Sequence, residues 1–292
     1  MAHFTDTEVL SSKDIIRTIN DDFDLDKIAA SGQCFRWTKV SGTDEPLTYR
    51  IIAGRKCLYL ADLGGGEFAF DCSEEDFEKF WRGYFDLEED YSAIRARIDQ
   101  QKEPFLHAAA EHEKGIRILR QDTWETLITF IISQNRNIPA IRRSVELLAE
   151  TCGELLTDSR GQEYHAFPEP GMIAELTDEQ LDDCRLGYRC KYVAAAAKSV
   201  RDGEIDLKAL ADADESTTIK ALTALYGVGK KVASCVSLFG LHHVDAFPVD
   251  VWMERILAQE YPDGYPFESG TPFNGVYQQY MFAYYRHQNK VK

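Results

Sequence analysis

Residues 222–255 read LTALYGVGKKVASCVSLFGLHHVDAFPVDVWMER and hold three features at fixed offsets. Leu222 and Leu225 close one helix. Gly227-Val228-Gly229 then predicts a turn, because positive φ is cheap only for glycine. From Lys230-Lys231 onward, Val232, Ala233, Cys235, Val236, Leu238 and Phe239 recur at helical spacing, so a second helix begins directly at the turn. A helix-hairpin-helix of this kind presents backbone N–H groups at a helix N-terminus, which suits a phosphate. Asp250 follows Lys231 by nineteen residues, just after Pro248, and opens a third helix over Val251 to Leu257. A lysine beside a phosphate-binding hairpin and an aspartate aimed from a helix start together suit amine chemistry on a nucleic-acid sugar. Singly, each has an ordinary account: a helix–helix turn, a solvated lysine and an N-cap.

Composition sets the outer limits. A chain of 292 residues with 44% hydrophobic and 12% aromatic content is globular, long enough for one or two domains with a real core. The N-terminal MAHFTDTEVLSSKD lacks the basic and apolar regions of a signal peptide, and no apolar run reaches the length of a membrane span. Seven scattered cysteines fit a reducing compartment and lack the clustered spacing of a zinc or iron–sulfur site. The net charge of −16 argues against a nucleic-acid partner at face value. Yet residues 126–143, 185–201 and 226–244 contain no Asp or Glu and hold ten Lys or Arg. One locally basic face is sufficient, because attraction to phosphate is decided within a Debye length of roughly 8–10 Å.

Taken in order, residues 1–105 predict an antiparallel sheet with some helix. Phe35-Arg36-Trp37, Tyr49 to Ala53 and Leu58-Tyr59-Leu60 are strand-like runs punctuated by Gly42, Gly54 and Gly64-Gly65-Gly66, and Glu74 to Tyr84 follows as a helix. From 106 to 292 the chain becomes helical. Asp122 to Ser133 is apolar on most sides and predicts a buried helix. Further helices are expected over Ile141 to Thr151, Ala194 to Val200 and Asn274 to Arg286. Between the first two helices of this part, Ser133-Gln134-Asn135-Arg136-Asn137 is dense in amides, for which capping and turn formation are the ordinary account. Gln278 and Phe282 stand four apart and share a helix face.

LYGVGKKVASC followed by FPVDVW resembles the signature of the bifunctional 8-oxoguanine DNA glycosylases of the helix-hairpin-helix superfamily. The resemblance runs from Ser31 to Phe282 in matching order, through SGQCFRW at 31–37, YFDL at 84–87, SQNRN at 133–137, YHAFP at 164–168, LGYRCKYV at 186–193 and the Gln278–Phe282 pair. It implies an α+β chain, an N-terminal antiparallel sheet domain (1–105) contributing to a base pocket and a helical helix-hairpin-helix glycosylase domain (106–292). It makes Lys231 the nucleophile and Asp250 its catalytic partner. The Gly32 carbonyl would accept from N7–H of the damaged base, a proton that guanine lacks. Phe282 would stack on the base, Cys235 would cover its other face, and Gln278 would read its Watson–Crick edge. Asn135 and Asn137 would fill the gap left by the extruded base, Tyr188 would wedge into the stack, and Arg189 would contact the opposite base. Gly227, Val228, Gly229 and Lys230 would hold the backbone, with Trp252 near a phosphate.

The resemblance also implies a candidate cation at the hairpin, held by the carbonyls of Thr223, Leu225 and Val228, with no cofactor required. The expected partner is damaged double-stranded DNA, bound by a monomer with no membrane association, in the cytoplasm or nucleoid of a prokaryote or the nucleus of a eukaryote. Three positions depart from the family pattern: Tyr226 replaces a proline before the hairpin, Trp252 replaces a histidine, and Ala140 stands where eukaryotic members carry an arginine. Two other readings differ in kind. A monofunctional alkylbase glycosylase would use the aspartate without a lysine nucleophile, and a non-catalytic binding protein would use the hairpin alone. Lys231 argues against the first, and its coincidence with Asp250, Cys235 and Phe282 against the second. Relatives with four closely spaced C-terminal cysteines are discounted, since no cysteine follows Cys235.

Overall fold

The computed structural model describes residues 14–43, 45–267 and 270–290. Five strands, β1 (Ile15–Thr18), β2 (Trp37–Lys39), β3 (Leu47–Ala53), β4 (Lys56–Gly64) and β5 (Glu67–Phe70), form one sheet in the order β1-β5-β4-β3-β2. Every neighbouring pair is antiparallel. The register lines Trp37 up with Ile51 and Ile51 with Leu58, so three fully buried side chains form one row across the sheet. These pack on Phe70, Phe77, Trp81 and Phe85, which build a core of their own. β3 and β4 carry buried residues on both faces because the small hairpin Leu155–Thr157/Glu163–His165 covers the second one. Asp158, in its turn, pairs with Arg50 at 2.8 Å and accepts from the Tyr59 hydroxyl at 2.9 Å. The helical path over Glu74 to Tyr84 forms, with a π-turn over Phe77–Trp81.

The helical part is organised around Thr123–Ser133, capped by Asp122 and buried along eight of its residues. Helix Lys230–Phe239 packs on it, with Phe130 and Phe239 stacked at 5.5 Å between ring centroids. Phe35, from the segment leading into β2, joins this second core and ties the sheet to the helices. Several helices extend past their expected ends. The one expected from Ile141 begins at Ile138, because Asn137 caps it and Pro139 is accommodated in the first turn. The one expected over Ala194 to Val200 spans Cys190–Arg201, fed by a 3₁₀ turn at Gly187–Arg189. Val251–Glu260 ends just before Tyr261-Pro262, and the C-terminal helix runs Asn274–Lys290. Among the described residues no helix is long and apolar enough to cross a membrane.

Candidate active site

The hairpin consists of helix Glu215–Thr223, a turn, and helix Lys230–Phe239. The first helix closes at Thr223, and Leu225 lies in the turn, its carbonyl accepting from Val228 N at 3.1 Å. The two hairpin glycines serve different ends. Gly227 has φ +82°, and a Cβ there would sit 2.1 Å from the Tyr192 ring. Gly229 is an extended N-cap at φ −90°, so its expected positive φ is not found. A Cβ on Gly229 would meet nothing within 4 Å. The missing side chain at 227 thus serves packing, and at 229 it leaves the helix N-terminus open to a ligand from outside. Val228 is buried and Lys230 exposed.

Lys231, in the first turn of the second helix, is half-buried, with Nζ 5.1 Å from the centre of the Phe130 ring. One turn on, the buried Cys235 thiol is pushed up by burial, against the opposing pull of its hydrogen-bond partner Lys231. Asp250 caps helix Val251–Glu260 with one oxygen only: Oδ1 accepts from Trp252 N at 3.0 Å and Met253 N at 2.9 Å. That leaves Oδ2 for the cleft. Lys231, Asp250, Gly32 and Phe282 come from four separate segments and line one cleft of about 890 Å³. Gly32 adopts φ +85° in a turn that Gln33 pins: its amide donates to Ser31 Oγ and the Arg117 carbonyl and accepts from Leu119 N, at 2.9, 2.8 and 2.8 Å.

Other expected residues sit differently. Gln278 is buried and outside the cleft lining, with its Nε2 donating to the Pro248 carbonyl at 3.1 Å. Cys235 likewise lies beneath the cleft wall. Arg189 is buried, with Nε donating to the Gln134 carbonyl at 2.9 Å and Nη1 to the Leu186 carbonyl at 3.2 Å. Tyr188 is exposed beside it and accepts from Asn135 Nδ2 at 3.2 Å. Asn135 and Asn137 both line the cleft rim; Asn135 takes φ +52°, and Asn137 caps its helix by accepting from Ala140 N at 2.9 Å. Trp252 lines the cleft and carries the Arg255 guanidinium 5.2 Å over its ring.

Residues that pattern reading passed over complete the site. Gln134 joins the hairpin to the amide-rich loop, donating to the Gly227 carbonyl at 3.1 Å. Arg136 lines the cleft and donates to Ser144 Oγ at 2.6 Å and to the Arg185 carbonyl. Burial, and then the neighbouring Arg189 charge, hold its pKa below the usual arginine range. Arg286 enters from the C-terminal helix. Lone arginines and glutamines carry no periodic signal, and only the folded juxtaposition marks them.

Comparison with known proteins matches this chain to a family. The model for the 8-oxoguanine DNA glycosylase N-terminal domain matches residues 15–127, and that for HhH-GPD superfamily base excision DNA repair proteins matches 128–262. The chain is 36% identical over 258 residues to an N-glycosylase/DNA lyase of Saccharomyces cerevisiae, covering 81% of this chain and 68% of the relative. It is similar to the solved structure of MBOgg1 in complex with a low affinity DNA ligand, with a TM-score of 0.86, 35% identity, and coverage of 96% of this chain and 98% of that one. A Clostridium acetobutylicum 8-oxoguanine glycosylase/lyase, solved with dsDNA containing cytosine opposite 8-oxoG, gives a TM-score of 0.83 at 31% identity, covering 94% of this chain and 98% of that one. With the two family models together spanning residues 15–262, this chain belongs to the 8-oxoguanine DNA glycosylases of the helix-hairpin-helix superfamily.

Proposed function

We infer that this chain is a bifunctional glycosylase/lyase that excises 8-oxoguanine from duplex DNA, with Lys231 as the nucleophile. The observation that carries the residue assignment is the shared cleft, into which four distant segments deliver Lys231, Asp250, Gly32 and Phe282. A stacked base cannot be attacked at its sugar, so the nucleotide is first flipped out of the duplex. The free amine of Lys231 forms a bond to C1′. The glycosidic bond breaks with its electron pair on the base, which leaves protonated. The nitrogen sheds a proton, and its lone pair then expels O4′ from C1′; the sugar ring opens, O4′ takes up a proton, and the nitrogen is left as a protonated Schiff base with C1′. Loss of a proton from C2′ then expels the 3′ phosphate and cuts the strand. Asp250 faces the positive charge that develops on the sugar with Oδ2, while Oδ1 stays in the helix cap.

Gly32 and Phe282 hold the flipped base, and the open N-terminus at Gly229-Lys230 takes a backbone phosphate. Tyr188 and Asn135 act at the gap. Gln278 and Arg189 reach base edges only after exchanging their protein partners for DNA. A cation at the hairpin fits the oxygen chemistry of the Thr223, Leu225 and Val228 carbonyls: Leu225 spends one lone pair on Val228 N and keeps another. The chain acts as a monomer where its duplex lies, in a nucleoid or a nucleus.

Borohydride trapping on duplexes differing only in the lesion tests the reading. Covalent attachment to the 8-oxoguanine duplex, lost in Lys231→Gln while lesion binding persists, is expected. Base release without any trapped species would point to a monofunctional enzyme instead.

A further inference from the structure

We propose that Arg286 is a base-recognition residue, donating from its guanidinium to a carbonyl oxygen on the edge of the flipped 8-oxoguanine. It stands one helical turn beyond Phe282 on helix Asn274–Lys290, with its guanidinium carbon 5.2 Å from the centre of the Phe282 ring. Its Nη1 lies 3.7 Å from where a Cβ on Gly32 would be, and Phe282 Cε1 lies 3.8 Å from the same point. Arg286 therefore shares a corner of the cleft with the two residues read as holding the base, and it lines that cleft together with Lys231 and Asp250.

Its five N–H donors have no hydrogen-bond or ion-pair partner among the described residues, and that sets it apart from other arginines drawn into the fold. Arg36 donates to Glu146 and to the His165 carbonyl, both at 2.7 Å, and Arg117 donates to the Asp22 carbonyl at 2.6 Å. Burial pushes the Arg286 pKa down, and Asp250 opposes that with its charge. A half-buried guanidinium with idle donors carries a desolvation cost that an arriving acceptor offsets. 8-Oxoguanine brings two, O6 and O8, on either side of its N7–H. Gly32 supplies the acceptor for that N–H and Arg286 the donor beside it, so the wall of the cleft complements the edge. This inference rests on the reading of the site given above.

Phosphate oxygens offer the same acceptor chemistry, and the test separates the two sources. In the non-reacting Lys231→Gln background, Arg286→Ala and Arg286→Gln are titrated against one duplex carrying 8-oxoguanine and one carrying a tetrahydrofuran abasic analogue, which keeps the phosphates and lacks the base. Both substitutions are expected to weaken the lesion duplex by roughly ten- to a hundredfold, the range of a hydrogen bond to a charged group, and to leave the abasic duplex unchanged. Equal losses on both would assign Arg286 to a phosphate and overturn the inference. No loss on either would overturn it as well. If the natural chain neither releases 8-oxoguanine nor is trapped on it, the reading of the site falls and the inference with it.

Discussion

Gln278 donates its side-chain amide to the carbonyl of Pro248 at 3.1 Å, thirty residues earlier in the chain. The bond links the C-terminal helix to the loop that delivers Asp250. Its Oε1 accepts from Gln279 Nε2 at 2.8 Å, so both ends of the amide are engaged inside the protein. Gln278→Ala would leave the Pro248 carbonyl and the Gln279 amide short of partners in a buried place. We expect a stability loss of about 1–3 kcal/mol by denaturant titration, together with slower base release. Unchanged stability with lost activity would show that the amide works only as a base reader.

Asp250 separates cap from chemistry because both cap bonds land on Oδ1. Asn at this position caps about as well as Asp, so Asp250→Asn should hold stability to within roughly 0.5 kcal/mol. Single-turnover excision should nevertheless fall steeply, since the negative charge is gone. Asp250→Ala should add a cap loss of about 1 kcal/mol. An Asn variant that unfolds, with no separate loss of rate when folded, would reduce Asp250 to a cap.

The hairpin glycines give a paired experiment. Gly227→Ala meets both a left-handed backbone and the Tyr192 ring, and should cost about 2–4 kcal/mol. Gly229→Ala, an N-cap with open space around it, should cost only about 0.5–1 kcal/mol and still weaken DNA binding, because the added methyl stands where a phosphate would approach. Thermal melts and a salt-dependent DNA titration on both variants decide the point. Equal stability losses would contradict the division of labour between them.

What could be read from the sequence was whatever repeats or sits at a fixed offset. The buried helix Thr123–Ser133, the hairpin helix from Lys230 and the capping position of Asp250 follow from apolar spacing, glycine and the capping preference of aspartate. Lys231 and Asp250 were visible because a turn and a helix start mark them. Side-chain partners were not. The fold-back of Arg189 onto the Gln134 carbonyl depends on two segments 55 residues apart meeting in space. Gln278 turning to Pro248 depends on a helix and a loop from different parts of the chain, and no local pattern encodes it. Helix ends ran long for a related reason: polar residues such as those at 287–290 carry no stop signal, and a helix continues until a proline or a cap ends it.

Arg189 holds two loops together through the Gln134 and Leu186 carbonyls, with its guanidinium carbon 4.2 Å from the centre of the exposed Tyr188 ring. To contact an unpaired cytosine it must give up some of those bonds, so its net gain is smaller than that of a free arginine. The eukaryotic pattern adds a second arginine where this chain has Ala140, in the first turn of helix Ile138–Cys152, which offers a methyl group and no donor. One good bidentate contact gives about 1–3 kcal/mol of discrimination, and its absence should relax the preference for cytosine by roughly ten- to a hundredfold. Single-turnover excision on four duplexes that differ only at the opposite base should therefore show cytosine preferred, with substantial activity opposite the other three. Ala140→Arg should sharpen the preference. Arg189→Ala should flatten it and also lower stability, because the Gln134 and Leu186 carbonyls lose the guanidinium bonds that tie the two segments together. Strict dependence on cytosine in the natural chain would transfer the missing contact to Arg136, which already lines the cleft beside Asn135. Arg136→Ala would then be the variant that relaxes it.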